Sequence, residues 1–161
     1  MPMRRRPPPR AGLLVGLALL VLLAPSAAAG ALRILVTNDD GVGSPGIRAL
    51  RTALADAGHH VVVVAPRTNQ SGKGASLRTD VGGAAALQQP EPGVWSVDGT
   101  PADAVRAALD AVLADAAPDL VVSGLNFGPN LGRPGAVGSG TVGAALTAVH
   151  RGVPALATSV G

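Results

Sequence analysis

The feature that most constrains this chain is an apolar run that ends in two adjacent carboxylates. Residues 32–37 are typical of a buried strand, and Asn38-Asp39-Asp40-Gly41 follows directly. Adjacent carboxylates repel each other, and each costs free energy to desolvate. A divalent cation such as Mg²⁺ or Mn²⁺ would stabilise the pair, because hard cations prefer oxygen ligands. The alternative interpretation is that Asp40-Gly41 only forms a tight turn.

The hydrophobic pattern predicts alternating strands and helices. We expect strands at 32–37, 60–65, 77–79, 94–97, 120–122 and 153–159. We expect helices at 47–57, 101–115 and 139–150, a turn at 88–93 and a loop at 123–138. This order predicts an α/β three-layer sandwich, with a mostly parallel sheet and helices on both faces. The chain stops directly after a predicted strand, so we also expect it to be truncated at its C-terminus.

The first 29 residues are predicted to be a signal peptide. An arginine-rich start precedes an uncharged apolar stretch at 13–24, and small residues at 27–29 offer a cleavage site before Gly30. The apolar stretch is short for a membrane span, which needs about 20 residues. We therefore expect an exported protein with no stable membrane span after cleavage, and a single domain over 30–161. A misassigned start would instead make the protein cytoplasmic.

The charge balance and the absence of cysteine exclude several classes of protein. The chain has 13 basic and 10 acidic residues, but four of the basic ones lie in the leader, which leaves nine against ten. The high isoelectric point therefore does not predict a surface for binding a nucleic-acid polymer. Without cysteine, the chain has no disulfide, no thiolate metal site and no cysteine nucleophile.

Four loops rich in glycine and oxygen ligands are predicted to meet at one edge of the sheet. They lie at 38–41, 69–72, 123–130 and 138–141. Asp39 and Asp40 provide charge for a hard cation, and Ser139-Gly140-Thr141 at a helix start offers N–H groups and hydroxyls to an anion. A cation site beside an anion site indicates phosphate chemistry. Three of these loops also have a purely structural explanation. Ser71 would be a turn residue, Asn126 a left-handed loop residue, and Ser139-Gly140-Thr141 a helix cap.

One motif competes with this interpretation. Residues 41–46 fit the pattern G-x-G-x-x-G between a strand and a helix, as in dinucleotide-binding proteins. Asp39 and Asp40 immediately before it would repel a pyrophosphate. The second predicted strand ends without the acid expected for a ribose, although Arg67 would suit a 2′-phosphate. An NADP-binding Rossmann protein is therefore the surviving version of this alternative.

Five motifs in order resemble the SurE family of survival-protein nucleotidases, also described as acid phosphatases. They are Asn38-Asp39-Asp40-Gly41, Ala65-Pro66 with Ser71-Gly72, Gly99-Thr100-Pro101-Ala102-Asp103, Ser123-Gly124-Leu125-Asn126 with Gly128 and Asn130, and 139–145. The resemblance implies a Rossmann-like core and metal-dependent removal of phosphate from nucleoside 5′- or 3′-monophosphates. It also implies a homodimer or homotetramer for the full-length protein, and long-chain polyphosphate is a conceivable substrate.

The same resemblance implies the residues of the site. One divalent cation, Mg²⁺ or Mn²⁺, would be bound by Asp39, Asp40, Ser71 and Asn126. The phosphate would lie beside Ser139, Gly140 and Thr141, with Asn130 as a further contact. Asp39 or Asp40 is then the expected catalytic group, which would orient or deprotonate the attacking water.

The chain also departs from the pattern of the family. Residues 133–138 lack the aspartate and the aromatic residue that usually precede the Ser-Gly-Thr segment, and Ala104 and Thr147-Ala148 replace Cys and Glu-Gly. These departures, with the expected truncation, motivate an alternative function. The chain would then be a catalytically silent homologue that binds metal or nucleotide.

Overall fold

The structure is a computed structural model that describes residues 30–78 and 87–160. The predicted signal peptide and Thr79 lie outside the described residues. Six strands form one sheet: β1 Arg33–Thr37, β2 His60–Pro66, β3 Leu87–Glu91, β4 Val94–Val97, β5 Leu120–Phe127 and β6 Ala155–Val160. The order across the sheet is β3-β4-β2-β1-β5-β6, and every neighbouring pair is parallel except β3 with β4.

The helices cover both faces of this sheet. They are α1 Pro45–Asp56, α2 Pro101–Ala107, α3 Gly132–Gly138 and α4 Gly140–His150, with a π-helical turn at Ala108–Val112 after α2. On one face, Ile47 of α1 packs with Ile34 and Val63. On the other face, Val105 of α2 and Ala144 of α4 share a core with Leu35. The α/β three-layer sandwich with a mostly parallel sheet is therefore confirmed.

Side-chain hydrogen bonds cap the starts of three helices. The Thr100 hydroxyl caps α2 by accepting from the Asp103 N–H, and the Asp103 carboxylate accepts from the Thr100 N–H, which completes a capping box. The Ser139 hydroxyl accepts from the N–H of Val142 at the start of α4. Ser44 caps α1, which begins at Pro45, two residues before the predicted start.

Two predictions of irregular structure are wrong. Residues 88–91, predicted to be part of a turn, form most of β3, which pairs antiparallel with β4. Only residues 92 and 93 of the predicted 88–93 turn connect the two strands. The predicted 123–138 loop is divided between β5, which continues to Phe127, and the short helix α3. Gln, Pro, Gly and Asn are disfavoured in strands. Here β3 and β5 form despite these residues, because each pairs with a neighbouring strand.

Two predictions of regular structure are also corrected. Leu77 and Arg78 lie in no strand. The helix predicted over 101–115 keeps α-helical hydrogen bonding only to Ala107, and the π-helical turn follows to Val112. Within residues 30–78 and 87–160, no helix has the length and apolar character needed to cross a membrane.

The sheet order determines where a site can form. From β1 the chain moves outward through β2 to β4, then crosses back to β5 on the other side of β1. The carboxyl ends of β1 and β5 therefore flank the point at which the direction of winding reverses. In open α/β sheets, ligands bind in the crevice at that point. Asp39 and Asp40 follow β1 there, and Asn126 lies near the end of β5.

Candidate functional site

Asp39 lies almost fully buried in a small cavity at this crevice. Its side chain is 3% exposed. The cavity has a volume of about 340 Å³, and its lining also includes the predicted site residues Ser71, Asn126, Asn130 and Ser139. The structure therefore brings together five residues of the predicted site, drawn from four separate loops.

The Asp39 carboxylate is held by the start of α4. The Thr141 hydroxyl donates to Asp39 Oδ1 over 2.8 Å. A Cβ atom at Gly140 would lie 2.7 Å from Asp39 Cβ and 2.9 Å from Oδ2, so only glycine allows this approach. Thr141 and Gly140 thus contact the carboxylate rather than line the cavity. A phosphate contact by either remains a prediction.

Asp39 has no cationic partner in the described part of the chain. The ion pairs there join Arg51 to Glu91, Arg78 to Asp98 and Arg151 to Asp110. A buried carboxylate with neither a cation nor a full set of hydrogen bonds is costly. Its environment therefore suits a bound cation.

Asp40 lies on the other side of the same turn. It is half-buried, and its Oδ2 accepts a hydrogen bond from the Phe127 N–H over 3.0 Å. It does not line the small cavity. It lines a second cavity, of about 740 Å³, which lies beside the start of α1. The two predicted metal carboxylates therefore border different spaces, and Phe127 lines both.

Asn38 organises the turn that carries both aspartates. Its side-chain amide donates to Gly41 O over 3.0 Å and to the Ser44 hydroxyl over 2.8 Å, and its Oδ1 accepts from the Gly41 N–H over 3.2 Å. The Gln70 N–H donates to the carbonyl oxygen of Asp39 over 2.7 Å. That last bond attaches the loop carrying Ser71 to the turn.

Asn126 presents a neutral oxygen to the small cavity. The register between β5 and β6 shifts between Ser123 and Asn126, as at a β-bulge, which redirects side chains locally. The Asn126 side-chain amide donates to Gly128 O over 2.8 Å. This bond uses the nitrogen, so the carbonyl oxygen is available as a ligand.

The residues predicted to bind phosphate occupy less uniform positions. Ser139 is buried in the cavity wall, and because its hydroxyl accepts from Val142, it can still donate to an anion. Asn130 donates from Nδ2 to the Ser159 hydroxyl over 2.8 Å, so its carbonyl oxygen is the atom left free. The backbone N–H groups at the start of α4 are therefore a stronger anion-binding feature than Asn130.

The oxygen atoms present fit a hard cation. Asp39, Asn126 and Ser71 supply a carboxylate, an amide carbonyl and a hydroxyl around one cavity. Nowhere in residues 30–78 and 87–160 do three or more His, Cys, Asp or Glu side chains cluster in a way that would hold a metal. A cation here would therefore depend on neutral oxygens and water in addition to the aspartates.

Two buried hydroxyls on neighbouring strands lack hydrogen-bond partners among the described residues. Thr37 Oγ1 and Ser123 Oγ belong to fully buried residues that are register neighbours on β1 and β5. The alternation of side chains along a strand places Thr37 on the sheet face of Leu35, which faces α2 and α4. Burying a polar group without a hydrogen bond costs free energy.

Comparison with known proteins identifies the family of the chain. Residues 34–161 match the family described as Survival protein SurE. The chain belongs to the SurE family. It is 48% identical over 132 residues to the 5'-nucleotidase SurE of Synechococcus sp. (strain CC9311), covering 80% of this chain and 49% of that protein. It is 46% identical over 129 residues to the 5'-nucleotidase SurE of Desulfovibrio desulfuricans (strain ATCC 27774 / DSM 6949 / MB). That match covers 80% of this chain and 49% of the Desulfovibrio protein.

A solved SurE structure has the same fold. The crystal structure of the SurE protein from Aquifex aeolicus aligns with a TM-score of 0.71 and 44% identity. The alignment covers 79% of this chain and 50% of that one. The chain thus spans about half the length of the curated relatives it matches.

Sequence reasoning missed several residues that shape the site. The Phe127 N–H fixes Asp40, and Asn38 fixes the turn, although an Asn before Asp-Gly is a known signal for such side-chain turns. Gly46, part of the G-x-G-x-x-G pattern, allows α1 to approach the Leu125 carbonyl closely. The glycine pattern therefore has a packing explanation in a SurE protein and needs no dinucleotide.

Proposed function

We propose that this chain is the metal-binding part of a phosphomonoesterase that hydrolyses nucleoside 5′- or 3′-monophosphates to nucleoside and phosphate. The observation that carries the proposal is the buried Asp39 carboxylate. It has no cationic partner in the described residues, and it shares its cavity with the capped start of α4. The relatives named 5'-nucleotidase SurE support the same activity.

In this proposal Asp39, Asp40, Ser71 and Asn126 hold one divalent cation, Mg²⁺ or Mn²⁺. Asp39 contributes from the small cavity, and Asp40 contributes from the opposite side of the turn. When bound, the cation supplies Lewis acidity and makes a coordinated water more acidic. Thr141 keeps the Asp39 carboxylate in position through its hydrogen bond.

The phosphate is proposed to lie at the start of α4. The Ser139 hydroxyl and the free N–H groups of Gly140 and Thr141 would donate to its oxygens, and the positive end of the helix dipole favours the negative charge. Asn130 would be a further contact, through the second hydrogen of its side-chain NH₂ group. Asp40, the more accessible carboxylate, would orient the attacking water, since one of its oxygens accepts from Phe127 and the other is free.

The test is phosphate release from a panel of nucleoside 5′- and 3′-monophosphates, with Mn²⁺, Mg²⁺ or chelator. We expect turnover that depends on the cation and falls about 10²- to 10⁴-fold in Asp40→Asn, the usual range for losing a group that positions or moves a proton. Asp56→Asn, an exposed change at the end of α1, is the matched control. A folded protein that binds cation and nucleotide without turnover would contradict the proposal and indicate a silent homologue.

The remaining sequence predictions belong to the same proposal. We propose that residues 1–29 are removed during export, which leaves 30–161 as the SurE domain. We also propose that the full-length protein is a homodimer or homotetramer. N-terminal sequencing of protein from the exporting cell tests the first point, and a protein starting at Met1 in the cytoplasm would contradict it. Light scattering of the purified protein tests the second, and a monomer would contradict it.

A further inference from the structure

The second cavity is the larger of the two that border the aspartates. Its volume of about 740 Å³ lies within the range of roughly 300–1,000 Å³ that is typical of small-molecule sites. It lies between the start of α1 and the end of β5. Its wall includes Asp40, Ser44, Gly46, Arg67, Asn69 and Phe127. Phe127 also lines the Asp39 cavity, so the two cavities share one wall residue.

Phe127 is the main apolar surface at this boundary. It is 88% exposed, although the chain contains only one Phe and one Trp, and no Tyr. Its N–H donates to Asp40 Oδ2, which attaches this part of the backbone to the turn that carries the aspartates. An exposed aromatic ring at such a place is a platform on which a planar base can stack.

Hydrogen-bond donors lie on the wall of the same cavity. Of the ion pairs formed in the described part of the chain, none involves the exposed guanidinium of Arg67. The Asn69 carbonyl oxygen accepts from the Ser71 N–H over 2.9 Å, which leaves its NH₂ group free to donate. These donors match the ring nitrogens and exocyclic oxygens of a nucleobase.

We propose that the second cavity is the base subsite of the enzyme, in which the nucleobase stacks on Phe127 and accepts hydrogen bonds from Arg67 and Asn69. The inference rests on the proposed function, because it places the phosphate of the same molecule in the Asp39 cavity. The nucleobase is then the part of the substrate that the enzyme recognises. Phe127 is then a specificity-determining residue, since it contacts the base and takes no part in the chemistry.

The kinetic test compares nucleoside 5′-monophosphates with ribose 5-phosphate, which carries the same phosphate without a base. Phe127→Ala is expected to lower kcat/KM for the nucleotides about tenfold through KM, in line with the loss of one base–aromatic stack. Ribose 5-phosphate, which has no base to stack, should lose much less kcat/KM than the nucleotides do. Phe127→Trp should retain the nucleotide kinetics, and Val149→Ala, an exposed change on α4, should alter neither substrate. An equal loss for both substrates, or no loss for either, would overturn the inference.

A binding test separates this inference from the proposed function. Equilibrium dialysis of labelled nucleosides with the whole chain, in chelator, needs no catalysis. Wild type should bind a nucleoside about tenfold more tightly than Phe127→Ala, the same effect of one stack. That result without any phosphate release would support the base subsite and contradict the phosphatase. Phosphate release with nucleoside binding that Phe127→Ala leaves unchanged would overturn the base subsite alone.

Discussion

Asp39 and Asp40 are neighbours in the sequence but occupy different environments. Asp39 is buried on the face covered by α2 and α4, and a side-chain hydroxyl holds it. Asp40 is half-buried toward α1, and a backbone N–H holds it. A turn at the end of a central strand can thus direct one carboxylate to each side of the crevice. In the function proposed above, the phosphate lies on the Asp39 side, substrate and water enter on the Asp40 side, and both carboxylates bind the cation.

The first prediction concerns the hydrogen bond from the Thr141 hydroxyl to Asp39. In the described residues, Asp40 has no such bond to a side chain. Thr141→Val preserves shape but removes the hydroxyl that donates to the buried carboxylate. We expect the free energy of unfolding to fall by about 1.5–3 kcal/mol, as for a hydrogen bond to a charged group. Chemical denaturation measures it, and Thr141→Ser, which keeps the hydroxyl, is the control. Equal stability of Thr141→Val and wild type would show that Asp39 does not depend on this contact.

The second prediction concerns space on the Asp39 side. A Cβ at Gly140 would overlap the Asp39 side chain, whereas a Cβ at Gly138 would meet nothing within 4 Å. We expect Gly140→Ala to lower the free energy of unfolding by about 1–3 kcal/mol, the usual cost of overpacking. Gly138→Ala should change it by no more than about 0.5 kcal/mol. Thermal unfolding of the two variants decides, and similar midpoints would refute the close approach of α4 to Asp39.

The third prediction has the smallest effect and concerns the unpartnered hydroxyls of Thr37 and Ser123. Thr37→Val replaces a buried hydroxyl that has no partner with a methyl group. We expect the free energy of unfolding to rise by about 1 kcal/mol or to stay the same, because an unsatisfied polar group no longer has to be buried. A loss of more than about 1 kcal/mol would mean that the hydroxyl binds a water or an ion. Ser123→Ala is the matched change on β5.

The sequence predicted the Asp39 side of the site better than the Asp40 side. Asp39, Ser71, Asn126 and Ser139 follow strands or open helices, and parallel strands bring such positions to one edge. The position of Asp40 depends on the Phe127 N–H, and any residue at 127 would supply that donor. A backbone contact of this kind does not depend on the residue type. The sequence therefore does not predict the second cavity.

The fold was predictable where apolar periodicity and caps were strong. The four valines of β2 and the Thr100-Pro101 start of α2 lie in elements that the sequence predicts. The failures fall where residue preference and tertiary pairing disagree. Residues 87–91 form a strand despite two glutamines and a proline, because β4 lies beside them. Likewise β5 continues through Gly124 and Asn126, because β6 pairs with it across the register shift.

The most direct test of the account is titration of the chain with Mn²⁺, followed by electron paramagnetic resonance or calorimetry. Wild type, Asp39→Asn, Asp40→Asn and the exposed control Asp56→Asn are compared under the same conditions. The account predicts one Mn²⁺ per chain, with affinity lowered about tenfold or more by either change at the turn, since each removes a charged ligand. Unchanged Mn²⁺ binding in folded Asp39→Asn would contradict the claim that aspartates on opposite sides of the turn bind one cation.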